Sequence, residues 1–247
     1  MKRALPLFLA LLLPLKGAAA ELSELKAFPQ DMWGSFKEQG KPEGLLTLLV
    51  AGGGASIARY GSRTYFDDFH LAETLKRRRP LGVRATAAGS VIGYPVYLFP
   101  VMGATYLAGH YLKAESTEEF GLLGFEALSL AGLQTAVLKL SVSRLRPDST
   151  DRAAFPSGHT SASFALATVA ASKYGWKVGV PACMLASFVG FTRMENSSHY
   201  LSDVVFGAGL GIMSGRAVFK YRKGKHPDRY VFAPFIAPGG GGVTMAF

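Results

Sequence analysis

Residues 157–219 read SGHTSASFALATVAASKYGWKVGVPACMLASFVGFTRMENSSHYLSDVVFGAGLGIMSGRAVF. Three apolar runs, at 157–172, 176–193 and 199–219, are parted by short polar breaks. Each is too long for a strand and long enough for a helix of four turns or more. A fourth run of the same kind, 120–141, precedes them. Four successive helices joined by short connections pack as antiparallel neighbours, so the fold class is all-α, a helical bundle.

Working outward from that stretch, residues 83–112 are long and apolar, with Pro95 and Pro100 inside, and predict a kinked spanning helix. The acidic 115–119 segment separates it from the 120–141 helix. Residues 44–60 are apolar, carry Gly52-Gly53-Gly54 and are short for a crossing, so they either lie at the surface or re-enter. Residues 61–82 are polar and hold Lys76-Arg77-Arg78-Arg79, read as a solvated loop or a headgroup contact. Residues 21–43 are mixed, with Phe28, Trp33 and Phe36 available for an interface. At the other end, 231–237 and 243–247 flank a four-glycine turn and predict a short hairpin. Gly207, Gly211 and Gly215 share one helix face, where they let a neighbouring backbone come close.

Lys2 and Arg3 precede an apolar run, and Ala18-Ala19-Ala20 follows it, which is the layout of a signal peptide or signal anchor over residues 1–20. The expected organisation is therefore that leader, a polar or interfacial region at 21–82, the bundle at 83–219, and a basic, glycine-rich tail at 220–247. Composition agrees with a membrane protein: of 247 residues only 18% are charged and 49% are hydrophobic. The net charge of +10 falls to +7 without the leader, so the body is basic in its own right. Its basic residues are dispersed among apolar helices, which argues against nucleic acid as a partner and for membrane lipids and a phosphorylated substrate. A single cysteine, Cys183, excludes a disulfide framework within the chain and a multi-cysteine zinc site.

Three clusters fall at helix ends: Lys139 with Arg146-Pro147, then Pro156-Ser157-Gly158-His159, then Arg193 with His199 and Asp203. In an antiparallel bundle these ends lie on one side. Lys139, Arg146 and Arg193 supply three cations, two of them guanidinium forks that match phosphate oxygens. The 156–159 segment opens a helix whose N–H groups and dipole favour an anion, with Ser157 as a further donor and Gly158 allowing close approach. His199 and Asp203, four apart, share a helix face, so the carboxylate is placed to hold one ring nitrogen protonated and leave the other to attack. His159 remains as a general acid for a leaving oxygen. Nothing in the set calls for a metal or an organic cofactor.

Taken in order, Lys139-Leu-Ser-Val-Ser-Arg-Leu-Arg146-Pro147, Pro156-Ser157-Gly158-His159 and Thr192-Arg193-Met-Glu-Asn-Ser-Ser-His199-Tyr-Leu-Ser-Asp203 resemble the tripartite signature of the type 2 phosphatidic acid phosphatase superfamily, in its membrane-bound branch. Bacterial class A acid phosphatases and vanadium haloperoxidases share that signature. The resemblance spans residues 120–219 and departs at Thr192, where the family usually has serine. It implies an all-α bundle of about six helices, mostly membrane-embedded, and a metal-independent lipid phosphatase in which His199 forms a phosphohistidine, Asp203 orients it, and His159 protonates the departing oxygen. Lys139, Arg146, Ser157, Gly158 and Arg193 would bind the phosphate oxygens. The resemblance places the catalytic end on the periplasmic face of a bacterial-type inner membrane. A soluble periplasmic acid phosphatase and a non-catalytic binder of anionic lipid are the alternatives. If 44–60 crosses the membrane and the N-terminus is exported, the site instead faces the cytoplasm. Which phosphate ester is cleaved, and the oligomeric state, are not legible.

Overall fold

The computed structural model describes residues 18–60, 68–225, 231–237 and 240–246. Most of the expected leader falls outside these; its last three residues begin the first helix. Among the described residues there are nine helices: α1 (Ala18–Gln39), α2 (Pro42–Tyr60), α3 (Asp68–Arg78), α4 (Gly82–Ile92), α5 (Pro95–Tyr111), α6 (Glu115–Val142), α7 (Gly158–Tyr174), α8 (Trp176–Glu195) and α9 (Leu201–Lys225). The all-α bundle is as the sequence predicts, although nine helices replace about six. The surplus is α1, α3 and α4: the short α3 and α4 sit at the end of the bundle that carries the signature, while the longer α1 packs toward the other end. Six helices, α2 and α5 to α9, run from one end to the other.

Glycine faces set how closely these helices approach. A Cβ added at Gly207, Gly211 or Gly215 would meet the Ser157, Ser161 or Ala165 carbonyl oxygen at 2.8, 2.3 and 2.6 Å, so α9 lies backbone-to-backbone on α7. On its other side, a Cβ at Gly209 would lie 2.1 Å from the Ala51 Cβ, and one at Gly54 would lie 3.2 Å from Val205. Glu43 pairs with Lys220 at 3.2 Å. Helix α2 therefore runs antiparallel along α9 for about 28 Å, the rise of its 19 residues. It thus lies along the length of a candidate spanning helix and does not fold back on itself. Leu123, Ala127, Leu130, Ala131, Ala165, Val169 and Val218 form the main core between α6, α7 and α9.

The 83–112 helix is broken in two. The chain bends by 52° between α4 and α5, where Gly93 and Tyr94 intervene and Pro95 starts the next helix. Residues 68–78 form a helix, not a loop; Asp68 and Leu75 are buried while Lys76, Arg77 and Arg78 stay exposed. The C-terminal strands β1 (Val231–Ala237) and β2 (Gly240–Ala246) pair antiparallel, with Val231 opposite Ala246. The second strand begins earlier than expected, because Gly240, Gly241 and Gly242 pair with Ala237, Ile236 and Phe235.

Helices α6 and α9 are long and apolar enough to cross a membrane, and the bent α4–α5 pair makes a third candidate. Large apolar side chains such as Leu49, Ile57, Val101, Leu140 and Met184 are exposed on the outer faces of the bundle. A soluble protein seldom shows so much apolar surface, and lipid is the solvent that suits it.

Candidate active site

Helix α6 ends at Val142 and is capped by Ser143 in the left-handed conformation, φ 47°, whose N–H bonds the Lys139 carbonyl. The chain then crosses the end of the bundle to Ser157, which precedes α7, and α8 returns to the same end at Glu195. All three signature blocks meet there. The Ser157 N–H donates to the Asp203 carbonyl oxygen at 3.0 Å, joining the second block to the third. The Asp148 N–H donates to the Ser197 carbonyl at 3.1 Å, joining the first to the third. Lys139 lies within electrostatic range of Arg146, Arg193 and Asp203, and His159 within range of Arg193, His199 and Arg146.

Each cation is held by a neighbouring carbonyl, carboxylate or hydroxyl oxygen. The Lys139 ammonium donates to the Ala153 carbonyl. Arg146 uses Nε on Asp151, 2.7 Å, and one terminal nitrogen on the Ser198 carbonyl, 3.4 Å. That contact holds the half-exposed Asp151 carboxyl below the usual carboxylate range. Arg193 donates to Ser90 Oγ at 2.7 Å, whereas its Nε is buried without a hydrogen-bond partner among the described residues. A buried N–H left unmade is costly, and here it sits on a cation beside two histidines. Ser157 is fully buried and accepts from Thr160 Oγ1 at 2.9 Å. Gly158 is open: a Cβ there would meet only Thr135 at 3.5 Å and Lys139 at 4.0 Å.

His199 lies in the α8–α9 connection, two residues ahead of the helix it was expected to open, and is 2% exposed. Its Nδ1 donates to the Ala154 carbonyl at 2.6 Å. Asp203 Oδ2 stands 3.7 Å away, within ion-pair distance but beyond a hydrogen bond. The partner that fixes the tautomer is thus a backbone carbonyl, with the carboxylate one step back. Burial lowers the His199 pKa to about 4 against the opposing pull of Asp203, so the imidazole is neutral at neutral pH. His159 stacks on Tyr94, with centroids 5.2 Å apart and planes 27° apart.

Several residues at this end carry no sequence signal. Glu195, 2% exposed, accepts from the Leu81 and Gly82 N–H groups, both at 3.0 Å, and so caps α4. That fixes α4, which presents Ser90 to Arg193, and Tyr94 beyond it. Arg144 lies inside the first block yet has no role in the signature. Its guanidinium bonds Asp203 Oδ1 at 2.6 Å, Ser202 Oγ at 2.6 Å and Asp68 Oδ2 at 2.8 Å. Asp68 comes from the polar stretch read as a loop. A basic or acidic residue bound to partners 58 to 76 positions away is not legible without coordinates.

Comparison with known proteins agrees with this arrangement. The profile of the PAP2 superfamily matches residues 121–227. A lipid A 1-phosphatase of Porphyromonas gingivalis is 37% identical over 141 residues, covering 54% of this chain and 32% of that protein. The chain thus spans about a third of that relative's length. A PA-phosphatase related-family protein of Dictyostelium discoideum is 26% identical over 227 residues, covering 67% of this chain and 83% of that one. Among solved structures, a transmembrane PAP2 type phosphatidylglycerolphosphate phosphatase from Bacillus subtilis shares the fold with a TM-score of 0.59 at 21% identity, over 78% of this chain and 97% of that one. Residues 121–227 of this chain thus form a PAP2 superfamily domain.

Proposed function

We propose that the protein is a membrane phosphatase that hydrolyses a lipid phosphate or diphosphate through a phosphohistidine, without a metal. The observation that carries this reading is a neutral, buried imidazole set among Lys139, Arg146 and Arg193, one of which keeps an unused N–H. Three cations with a helix N-terminus match a phosphoryl group, and the open face at Gly158 gives its oxygens access to backbone N–H groups. In the first step His199 Nε2 forms a bond to phosphorus as the ester P–O bond breaks, and His159 gives its proton to the departing oxygen. In the second, water loses a proton to His159 and adds to phosphorus as the P–N bond breaks, which restores both histidines. The P. gingivalis and B. subtilis proteins, named for lipid A and for phosphatidylglycerolphosphate, support a phosphorylated lipid as substrate.

The catalytic end is proposed to face the periplasm, across an inner membrane of bacterial type. Since α2 lies along α9, this orientation puts α1 and the basic end of α9 on the cytoplasmic side. A cleaved, exported leader would put the site on the opposite face, so the two sequence expectations exclude each other for a spanning α2. Purified protein in detergent should release inorganic phosphate from lipid A, phosphatidate or phosphatidylglycerol phosphate with EDTA present. His199→Ala should abolish the release; undiminished release by that variant would refute the assignment.

A further inference from the structure

Between the catalytic histidine and helix α3 lies a buried ionic cluster that the two-step reaction leaves without a task. Asp68 and Asp203 are both fully buried, Ser202 is 2% exposed and the Arg144 side chain 9%. One guanidinium serves both carboxylates. Asp68 is held in turn by Ser202, whose N–H donates to Oδ1 at 2.9 Å and whose hydroxyl donates to Oδ2 at 2.5 Å. The Tyr200 ring covers the guanidinium, 4.1 Å from its centroid. Asp203 Oδ1 is therefore occupied, and Oδ2, which accepts the Tyr200 N–H at 2.8 Å, is the oxygen turned toward His199. The Arg144 main chain acts on the same ring: its carbonyl accepts the Ala154 N–H at 3.0 Å, and the Ala154 carbonyl accepts His199 Nδ1.

Resting on the phosphohistidine reading, we propose that Arg144, clamped by Asp68, is a positioning residue for His199, fixing and charge-balancing Asp203 so that its Oδ2 supports the imidazole. A carboxylate buried without a cation draws a proton onto the nearest base, here His199, and is no longer held at a fixed angle to the ring, so the ring is less available and less well aimed when Nε2 bonds to phosphorus. Arginine suits the position because a fork spans two carboxylates at fixed angles, which an ammonium does not do. The charged groups facing His199 are Lys139 from α6, Arg146 from the connection, His159 from α7 and Asp203 from α9, and all stay in place in the variants below.

The test is kcat, KM and the pH dependence of kcat/KM for Arg144→Gln, Arg144→Lys and Asp68→Asn, with phosphatidate in mixed micelles. Arg144→Gln is expected to lower kcat roughly 10–100-fold with little change in KM, the scale of losing a second-layer partner. Without the guanidinium, Asp203 pulls harder on the His199 proton, so the acid limb moves to higher pH. Asp68→Asn removes a negative charge and moves that limb to lower pH. Arg144→Lys keeps the limb in place and restores part of kcat. Opposite displacements by Arg144→Gln and Asp68→Asn are not the mark of a merely structural cluster. Unmoved limbs, or a kcat for Arg144→Gln within about twofold of wild type, would overturn the inference. If Arg144→Gln does not fold, Arg144→Lys and Asp68→Asn decide: a limb that Asp68→Asn leaves unmoved overturns it. A wild-type protein that releases no phosphate removes the proposed function first, and this inference with it.

Discussion

In the proposed reaction, a histidine that burial holds at about pKa 4 is a nucleophile prepared in advance, since no proton has to leave before it attacks. An ordinary imidazole, titrating near about 6.5, is mostly protonated by about pH 5. The folded value is depressed, so His199 gains its proton only as the pH falls toward 4. Accordingly kcat/KM for a soluble phosphate ester, corrected for the ester's own titration, is expected to hold from neutral pH down to about pH 5; an acid limb near 6.5 would contradict this. His159 has a different signature. A general acid matters in proportion to how poor the leaving group is, so His159→Gln should cost about 10²–10⁴-fold on an alkyl phosphate and far less on p-nitrophenyl phosphate. Equal losses on both would remove that role. Lys139, Arg146, His159, Arg193, His199 and Asp203 were legible because their types and spacing recur together. Ala154 was not, because a carbonyl that orients a histidine can belong to any residue. Nor was Arg144, whose two partners come from α3 and α9.

At the scale of the elements, the apolar runs located α6 to α9 to within six residues at each end, but they could not separate one kinked helix from two. The break at 93–94 is a local event: Pro95 fixes the start of α5, and at Gly93 an added Cβ would lie 2.2 Å from Val189, so the chain passes there only as glycine. The stripe at 207, 211 and 215 was legible as a packing face, though not which helix it meets. Its partner is α7, which Ser157 precedes and whose first turn carries His159, so the stripe also sets the depth of the site. Gly211→Val should lower the thermal unfolding temperature in detergent and reduce activity with it, because its Cβ would meet a carbonyl oxygen at 2.3 Å. Gly224→Ala, with nothing within 4 Å, should leave both unchanged. Equal behaviour of the two would mean that α7 and α9 are not in backbone contact.

In the whole molecule, charge is concentrated at both ends of an apolar bundle. Opposite the site, Arg222 meets Glu126 at 2.5 Å and Asp31 at 3.1 Å, and Lys225 meets Asp31 at 2.7 Å, tying α1, α6 and α9 together. Glu126 and Asp31 are fully buried, so Arg222→Ala leaves two carboxylates without that cation and should cost roughly 3–5 kcal/mol, read as a lower denaturation midpoint. This network was hidden in the sequence, where Asp31 belongs to a segment with no clear pattern. Sidedness was hidden as well, because Lys76–Arg79 and Lys220–Lys225 balance each other. With Cys183→Ala as background, Thr150→Cys in the catalytic connection should react with an impermeant maleimide from outside spheroplasts, and Gly224→Cys only after permeabilisation. The reverse pattern would place the site in the cytoplasm. The most direct test of the account as a whole is rapid quenching of the reaction with a ³²P-labelled lipid phosphate. The account predicts an acid-labile, base-stable label on His199 that forms and decays at the rate of phosphate release; release without any such label, undiminished in His199→Ala, would contradict it.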